Sequence, residues 1–134
     1  MEASQKVILY VDDDPDDREF LIEAIKKENP DVKLLLAGNG LEAIDCLLEM
    51  KETNTSLPSL IILDINMPFL DGRETFERIQ KDPDLKKIPV LVLSSSEKPN
   101  DKAMFRNLGI EYITKPADIN HLYLIANRMV GLCR

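Results

Sequence analysis

Five short apolar runs, each separated from the next by a stretch of helical periodicity, constrain this chain more than any other feature of it. The runs are Val7 to Val11, Val32 to Ala37, Leu60 to Leu63, Val90 to Leu93 and a weaker pair, Tyr112-Ile113. Three of them are nearly continuous Val, Ile and Leu, the composition of parallel strands buried on both faces. Between the runs the period lengthens. After Pro15, the residues Phe20, Leu21, Ala24 and Ile25 form one helical stripe with Arg18, Glu19, Glu23, Lys26 and Lys27 outside it, and Pro30 ends the segment. Asn39-Gly40 opens a second helix whose Leu41, Ile44, Leu47 and Leu48 are expected to face inward. A third carries Phe76 and Ile79 and stops near Asp82-Pro83. A fourth runs from Asp101 to Leu108 and ends at Gly109, and a fifth starts from Asp118 as N-cap, with Leu122, Ile125, Ala126 and Met129 on one stripe. The pattern is (βα)₅. Right-handed crossovers then give an α/β, doubly wound, five-stranded parallel sheet with helices on both faces.

In such open sheets ligands bind beyond the carboxyl ends of the strands. Those ends carry a short list of polar residues. The first run stops in Asp12-Asp13, the third in Asp64 and the fourth in Ser94, while the fifth is followed by Lys115-Pro116. Carboxylates crowded at the end of a buried strand repel one another and lose hydration, so something positive has to sit among them. Three acids, a hydroxyl and a lysine on one edge outline a site for Mg²⁺ and a phosphoryl group. Oxygen ligands suit a hard cation, and Mg²⁺ keeps several waters while taking one or two carboxylates. Within the stretch "VDDDPDD", Asp16 and Asp17 read as solvated acids at a helix N-terminus, which favours negative charge.

Four blocks, "ILYVDDDP", "LIILDINMPFLDG", "VLVLSS" and "YITKP", resemble the signature blocks of the response-regulator receiver domain of two-component signalling. The likeness runs from about Lys6 to Val130 with the blocks in the family's order. It implies a flavodoxin-like sheet of strand order 2-1-3-4-5. The length of 134 residues suits a single domain, expected over residues 1–134 with a core of about 6–130 and no output domain. By the same resemblance Asp64 is the phosphoacceptor, taking a phosphoryl group from a histidine kinase or a histidine phosphotransfer protein. Asp13 is a direct Mg²⁺ ligand, Asp12 acts mainly through coordinated water, and the backbone carbonyl of Asn66 completes the protein's share of the metal shell. Ser94 and Lys115 serve the phosphoryl group, Tyr112 is the aromatic switch, and Lys115-Pro116 is a cis peptide. Asn66 and Ser96 flank the position where the family tunes phosphoryl lifetime. The output face is the fourth helix, fifth strand and fifth helix, with a homodimer left open as a partner. The protein is then a signalling phosphoprotein that catalyses only its own phosphorylation and dephosphorylation. The longer polar loop around Lys51 to Pro58 is similar to that of stand-alone receivers paired with phytochrome-type kinases.

Composition narrows the partners. A formal net charge of −7 over 134 residues makes an anionic nucleic-acid or membrane surface a poor match. Met1 to Lys6 lacks the basic and apolar regions of a signal peptide, and no apolar run approaches membrane-spanning length. Cys46 and Cys133 fit no metal or redox spacing and read as reduced thiols in a cytoplasmic protein.

Rival readings fail on particular residues. Asp12, Asp14, Asp16 and Glu23 fall at positions 1, 3, 5 and 12 of an EF-hand calcium loop, but position 6, which needs Gly, holds Asp17. An aspartyl phosphatase needs a second acid two residues after its nucleophile, and here that residue is Asn66. A flavin site needs a Gly- or Ser/Thr-rich loop after the first strand, whereas this loop is acidic and repels a phosphate. His121, the single histidine, has no partner in view and reads as surface. Phe105, Met104 and Met129 read as core, and Tyr112 reads on burial alone as core as readily as switch.

Overall fold

The computed structural model describes residues 5–96 and 98–133. Strands β1 (Val7–Val11), β2 (Lys33–Ala37), β3 (Leu60–Leu63), β4 (Val90–Ser94) and β5 (Glu111–Thr114) alternate with helices α1 (Pro15–Glu28), α2 (Gly40–Glu52), α3 (Gly72–Lys81), α4 (Pro99–Asn107) and α5 (Ile119–Leu132). The sheet is parallel throughout with order β2-β1-β3-β4-β5, as the sequence leads one to expect. The three continuous apolar runs are its central strands: β3 and β4 are buried at every position and β1 at all but Val7. The edge strands are less apolar because one flank of each meets no neighbour, and Leu36 on β2 is 46% exposed.

Two cores lie on the two faces of the sheet. Leu9, Val11, Ile61, Leu63 and Val92 point to the side covered by α2, α3 and α4, where Ala43, Leu47, Phe76, Ile79 and Phe105 meet them. Ile8, Tyr10, Leu60, Ile62, Leu91 and Leu93 point to the other side, against Leu21, Ala24 and Ile25 of α1 and Leu122, Ile125, Ala126 and Met129 of α5. This is the alternation of a strand buried on both faces.

Helix ends follow local chemistry. Asp14 caps α1 by accepting from the amides of Asp16 and Asp17, Asn39 caps α2, Asp71 caps α3 and Asp118 caps α5. Helix α4 begins two residues before the expected Asp101, at Pro99, whose fixed φ and missing N–H suit a first helical position. Gly109 follows α4 with a φ of 76°, the left-handed conformation expected of it. Val32 lies just outside β2, and its amide bonds back to the Asn29 carbonyl.

Three apolar residues expected on inward stripes are exposed instead: Phe20 at 47%, Leu41 at 43% and Leu48 at 41%. The contact face of α2 is centred on Gly40, Ala43 and Leu47, because its N-terminus presses against the loop after β3. A Cβ added to Gly40 would stand 2.0 Å from the Thr75 hydroxyl. Small residues make that approach, so Leu41 and Leu48 are turned to its flank. Phe20 borders a groove of about 760 Å³ between α1 and α5, rather than the core. Among the described residues no helix is long and apolar enough to cross a membrane. Cys46 and Cys133 are unpaired and half-buried, and burial pushes both thiols up.

Candidate functional site

Main-chain pairing brings the candidate residues to one edge. In the register of the sheet Val11 lies between Ala37 and Leu63, and Leu63 opposite Val92. One step further on, the Asp12 amide donates to the Ala37 carbonyl at 3.0 Å and the Asp64 amide to the Val11 carbonyl at 3.0 Å. The Lys115 amide donates to the Ser94 carbonyl at 2.9 Å, which fixes the lysine at the end of β5. Asp12, Asp64 and Ser94 are buried there, while Asp13 is exposed.

Asp12, Asp13 and Asp64 each offer a carboxylate oxygen within 4.8 Å of the others. The Lys115 ammonium reaches Asp12 Oδ2 at 2.7 Å and Asp64 Oδ2 at 3.1 Å. These are the convergences expected from the strand ends. Asp12 is further held by the Asp14 amide on Oδ1 and by the buried Tyr10 hydroxyl, which donates to Oδ2 at 2.7 Å. Asn66 is exposed, and with Asp13 it lines an opening on the α3 side of the site.

Two expectations are corrected. Asp17 is not simply solvated, for its Oδ2 accepts from Lys115 Nζ at 2.8 Å. Its position on the first turn of α1 places it across the groove from the end of β5, a proximity that spacing along the chain does not reveal. Tyr10 was likewise missed, since a tyrosine inside an apolar run reads as core; a partnerless buried hydroxyl is costly, and that is the signal that could have found it. The second correction concerns Lys115-Pro116. Among the described residues no peptide bond is cis. The ammonium reaches the carboxylates from a trans bond, with its backbone anchored on Ser94.

Electrostatics follow from burial. Removal from water pushes the Asp64 carboxyl above its ordinary value; the Ser94 hydroxyl and Lys115 pull part of the way back, and the Asp12 charge adds to the rise. Burial alone would lower the Lys115 pKa, but its hydrogen bonds to Asp12 and Asp17, with the attraction of Asp64 and Asp12, raise it well above normal. Burial and the neighbouring Asp12 raise the Tyr10 phenol far above its ordinary value.

A second network starts at the end of β4. The Ser96 amide donates to Ser94 Oγ at 3.2 Å, the Ser96 hydroxyl to Asp101 Oδ2 at 3.0 Å, and the Tyr112 hydroxyl to the Ser96 carbonyl at 2.6 Å. Asp101 is buried on α4 and pairs with Arg73 of α3 at 3.2 Å. Tyr112 is buried with its ring 6.3 Å from Phe105, so it is both core and a partner of the β4–α4 loop. Phe105 and Met129 are buried and Met104 is half-buried, while His121 is exposed.

The acid cluster suits a hard divalent cation: all its donors are carboxylate oxygens, and the Asp13 carboxylate has no hydrogen-bond partner among the described residues. A doubly wound sheet ending in three acids, a serine and a lysine defines a class, and the family comparison agrees. The chain belongs to the response regulator receiver domain family, whose model matches residues 8–127. It is similar to response regulator Rcp1 of Synechocystis sp., with 38% identity over 120 residues, spanning 88% of this chain and 82% of that protein. The crystal structure of the phosphorylated cyanobacterial phytochrome response regulator RcpA aligns with a TM-score of 0.86 at 34% identity, covering 97% of this chain and 94% of the other. The Mn²⁺-bound form of Rcp1 aligns with a TM-score of 0.80 at 34% identity, covering 94% and 92%.

Proposed function

We propose that this chain is a phosphoacceptor in a two-component relay and that Asp64 takes the phosphoryl group. The observation that carries this reading is the setting of the Asp64 carboxylate, buried beside Asp12 and Asp13 with Lys115 Nζ 3.1 Å away. Phosphoryl transfer asks a protein for in-line positioning and for neutralisation of charge on the equatorial oxygens, and little else. An Asp64 oxygen attacks the phosphorus of a phosphohistidine on a histidine kinase or phosphotransfer protein. The P–N bond breaks, the imidazole leaves with its electron pair, and an acyl phosphate remains on Asp64. Lys115 takes up part of the charge carried by the transferred group. Mg²⁺ held by Asp12, Asp13 and Asp64, with the Asn66 carbonyl completing the set, would supply the rest of that neutralisation. The presence of Mn²⁺ in the structure of the similar Rcp1 supports a divalent ion at such a site.

The Ser94 hydroxyl then donates to a phosphoryl oxygen. Because the Ser96 amide rests on Ser94 Oγ and the Ser96 carbonyl on Tyr112, movement at Ser94 reaches β5 through two hydrogen bonds. The switched face is α4, β5 and α5. The protein is a signalling component, and it acts in the cytoplasm. The likeness to phytochrome response regulators supports a phytochrome-type kinase as donor.

Incubation with acetyl phosphate and Mg²⁺, followed by separation on a phosphate-affinity gel, tests the acceptor role. One label per chain, sensitive to hydroxylamine and lost in Asp64→Ala, is the expected result. Equal labelling of Asp64→Ala, or steady turnover of phosphate esters, overturns it.

A further inference from the structure

The Lys115 ammonium has three N–H donors, and three carboxylates take them: Asp12 at 2.7 Å, Asp17 at 2.8 Å and Asp64 at 3.1 Å. No donor is left for an oxygen of a group arriving on Asp64, so one of these bonds has to open before the lysine can serve it. Asp64 carries the group. The Asp12 side chain is fully buried, and its Oδ2 already depends on both Lys115 and Tyr10. Without the lysine, Oδ2 would keep only the Tyr10 hydroxyl, away from water. The Asp17 side chain is 38% exposed and sits on the first turn of α1, where water and the helix N-terminus both accommodate a free carboxylate.

We propose that Asp17 holds Lys115 until an oxygen of the phosphoryl group on Asp64 displaces it, and that this competition sets how tightly the site retains a phosphoryl group. The proposal rests on the acceptor reading above and adds a positioning residue to it. Among the described residues the Asp17 carboxylate hydrogen-bonds only to the lysine, and it opposes the phosphorylated state rather than assisting it.

Beryllofluoride, which mimics a phosphoryl group on aspartate, provides the measurement. Its half-saturating concentration in Mg²⁺ is followed by NMR in wild type, Asp17→Asn, Asp16→Asn, Lys115→Ala and the Lys115→Ala/Asp17→Asn double variant, with thermal melts verifying that each is folded. Asp17→Asn should bind about two- to fivefold more tightly, the size of a partly exposed ion pair. Asp16→Asn, which removes the same charge from the neighbouring exposed residue, should leave binding unchanged. In the Lys115→Ala background the Asp17→Asn gain should vanish. Weaker or unchanged binding by Asp17→Asn overturns the proposal. So does an equal gain in Asp16→Asn or in the Lys115→Ala background, either of which would trace the effect to charge alone. A wild type that binds no beryllofluoride and takes no label from acetyl phosphate removes the acceptor reading and this proposal with it. Wild-type binding with an unresponsive Asp17→Asn removes this proposal only.

Discussion

Single residues at the end of β3 show how little freedom the site has. A Cβ on Gly72 would stand 2.4 Å from the Asp64 carbonyl and 2.6 Å from the Ile65 Cα, both backbone atoms that cannot turn aside. Gly72→Ala should therefore lower stability by about 1–3 kcal/mol, as overpacking does. Gly131 on α5 meets nothing within 4 Å, so Gly131→Ala should raise stability by about 0.4–1 kcal/mol through helix propensity and a less flexible unfolded chain. Urea denaturation of the two variants checks both signs. Asp64 itself opposes folding at neutral pH. The folded chain holds a proton on it more tightly than the unfolded chain, chiefly through burial. Stability contributed by this group is thus complete below an unfolded carboxyl value of about 4, and it is lost as pH climbs through the folded value. Asp64→Asn should be more stable than wild type at pH 7, with the advantage shrinking as pH falls toward 4. Urea midpoints across that range measure it. The sequence foretells such strain from like charges and lost hydration at the end of a buried strand, and of the two causes burial is the larger.

Elements were legible where one physical signal dominated. Nearly continuous Val, Ile and Leu located β1, β3 and β4, and the Asp118 cap and Gly109 stop hold in the structure. Inward faces were less legible on α1 and α2, because bulk alone does not mark the side that makes contact. Where α2 meets the β3–α3 loop closely, small residues make the contact and Leu41 and Leu48 stay outside. The acid cluster and Lys115 were legible because strand ends collect on one edge. Asp17 was not, since its partner depends on how α1 sits against the end of β5, and Tyr10 was not, since a tyrosine inside an apolar run reads as core. Asp101 joins two helices in the same hidden way. Its carboxylate bridges Arg73 of α3 and the Ser96 hydroxyl, and the Arg73 side chain is 45% exposed. A double-mutant cycle on Arg73→Ala and Asp101→Ala should give a coupling of about 0.5–1 kcal/mol, near the upper end for a pair with one solvated partner. Additive losses in urea denaturation would mean the bridge is not formed in solution.

At the scale of the whole molecule, the acid cluster should link folding to a divalent cation. Free Mg²⁺ at ten times its dissociation constant should stabilise the protein by about 1.4 kcal/mol, raising the melting midpoint by roughly 4–7 °C for a domain of this size. EDTA should abolish the gain, and Asp13→Asn should show little of it. Melts by differential scanning calorimetry measure both. A midpoint indifferent to metal would deny that the carboxylates act together. The Tyr10–Asp12 hydrogen bond gives the same event a colour. The chain has three tyrosines and no tryptophan, so its near-ultraviolet absorption belongs almost wholly to phenol rings. One of those rings is hydrogen-bonded to the acid cluster. A cation that draws charge from Asp12 should weaken that bond and shift the phenol band to the blue, which would make the protein its own indicator dye.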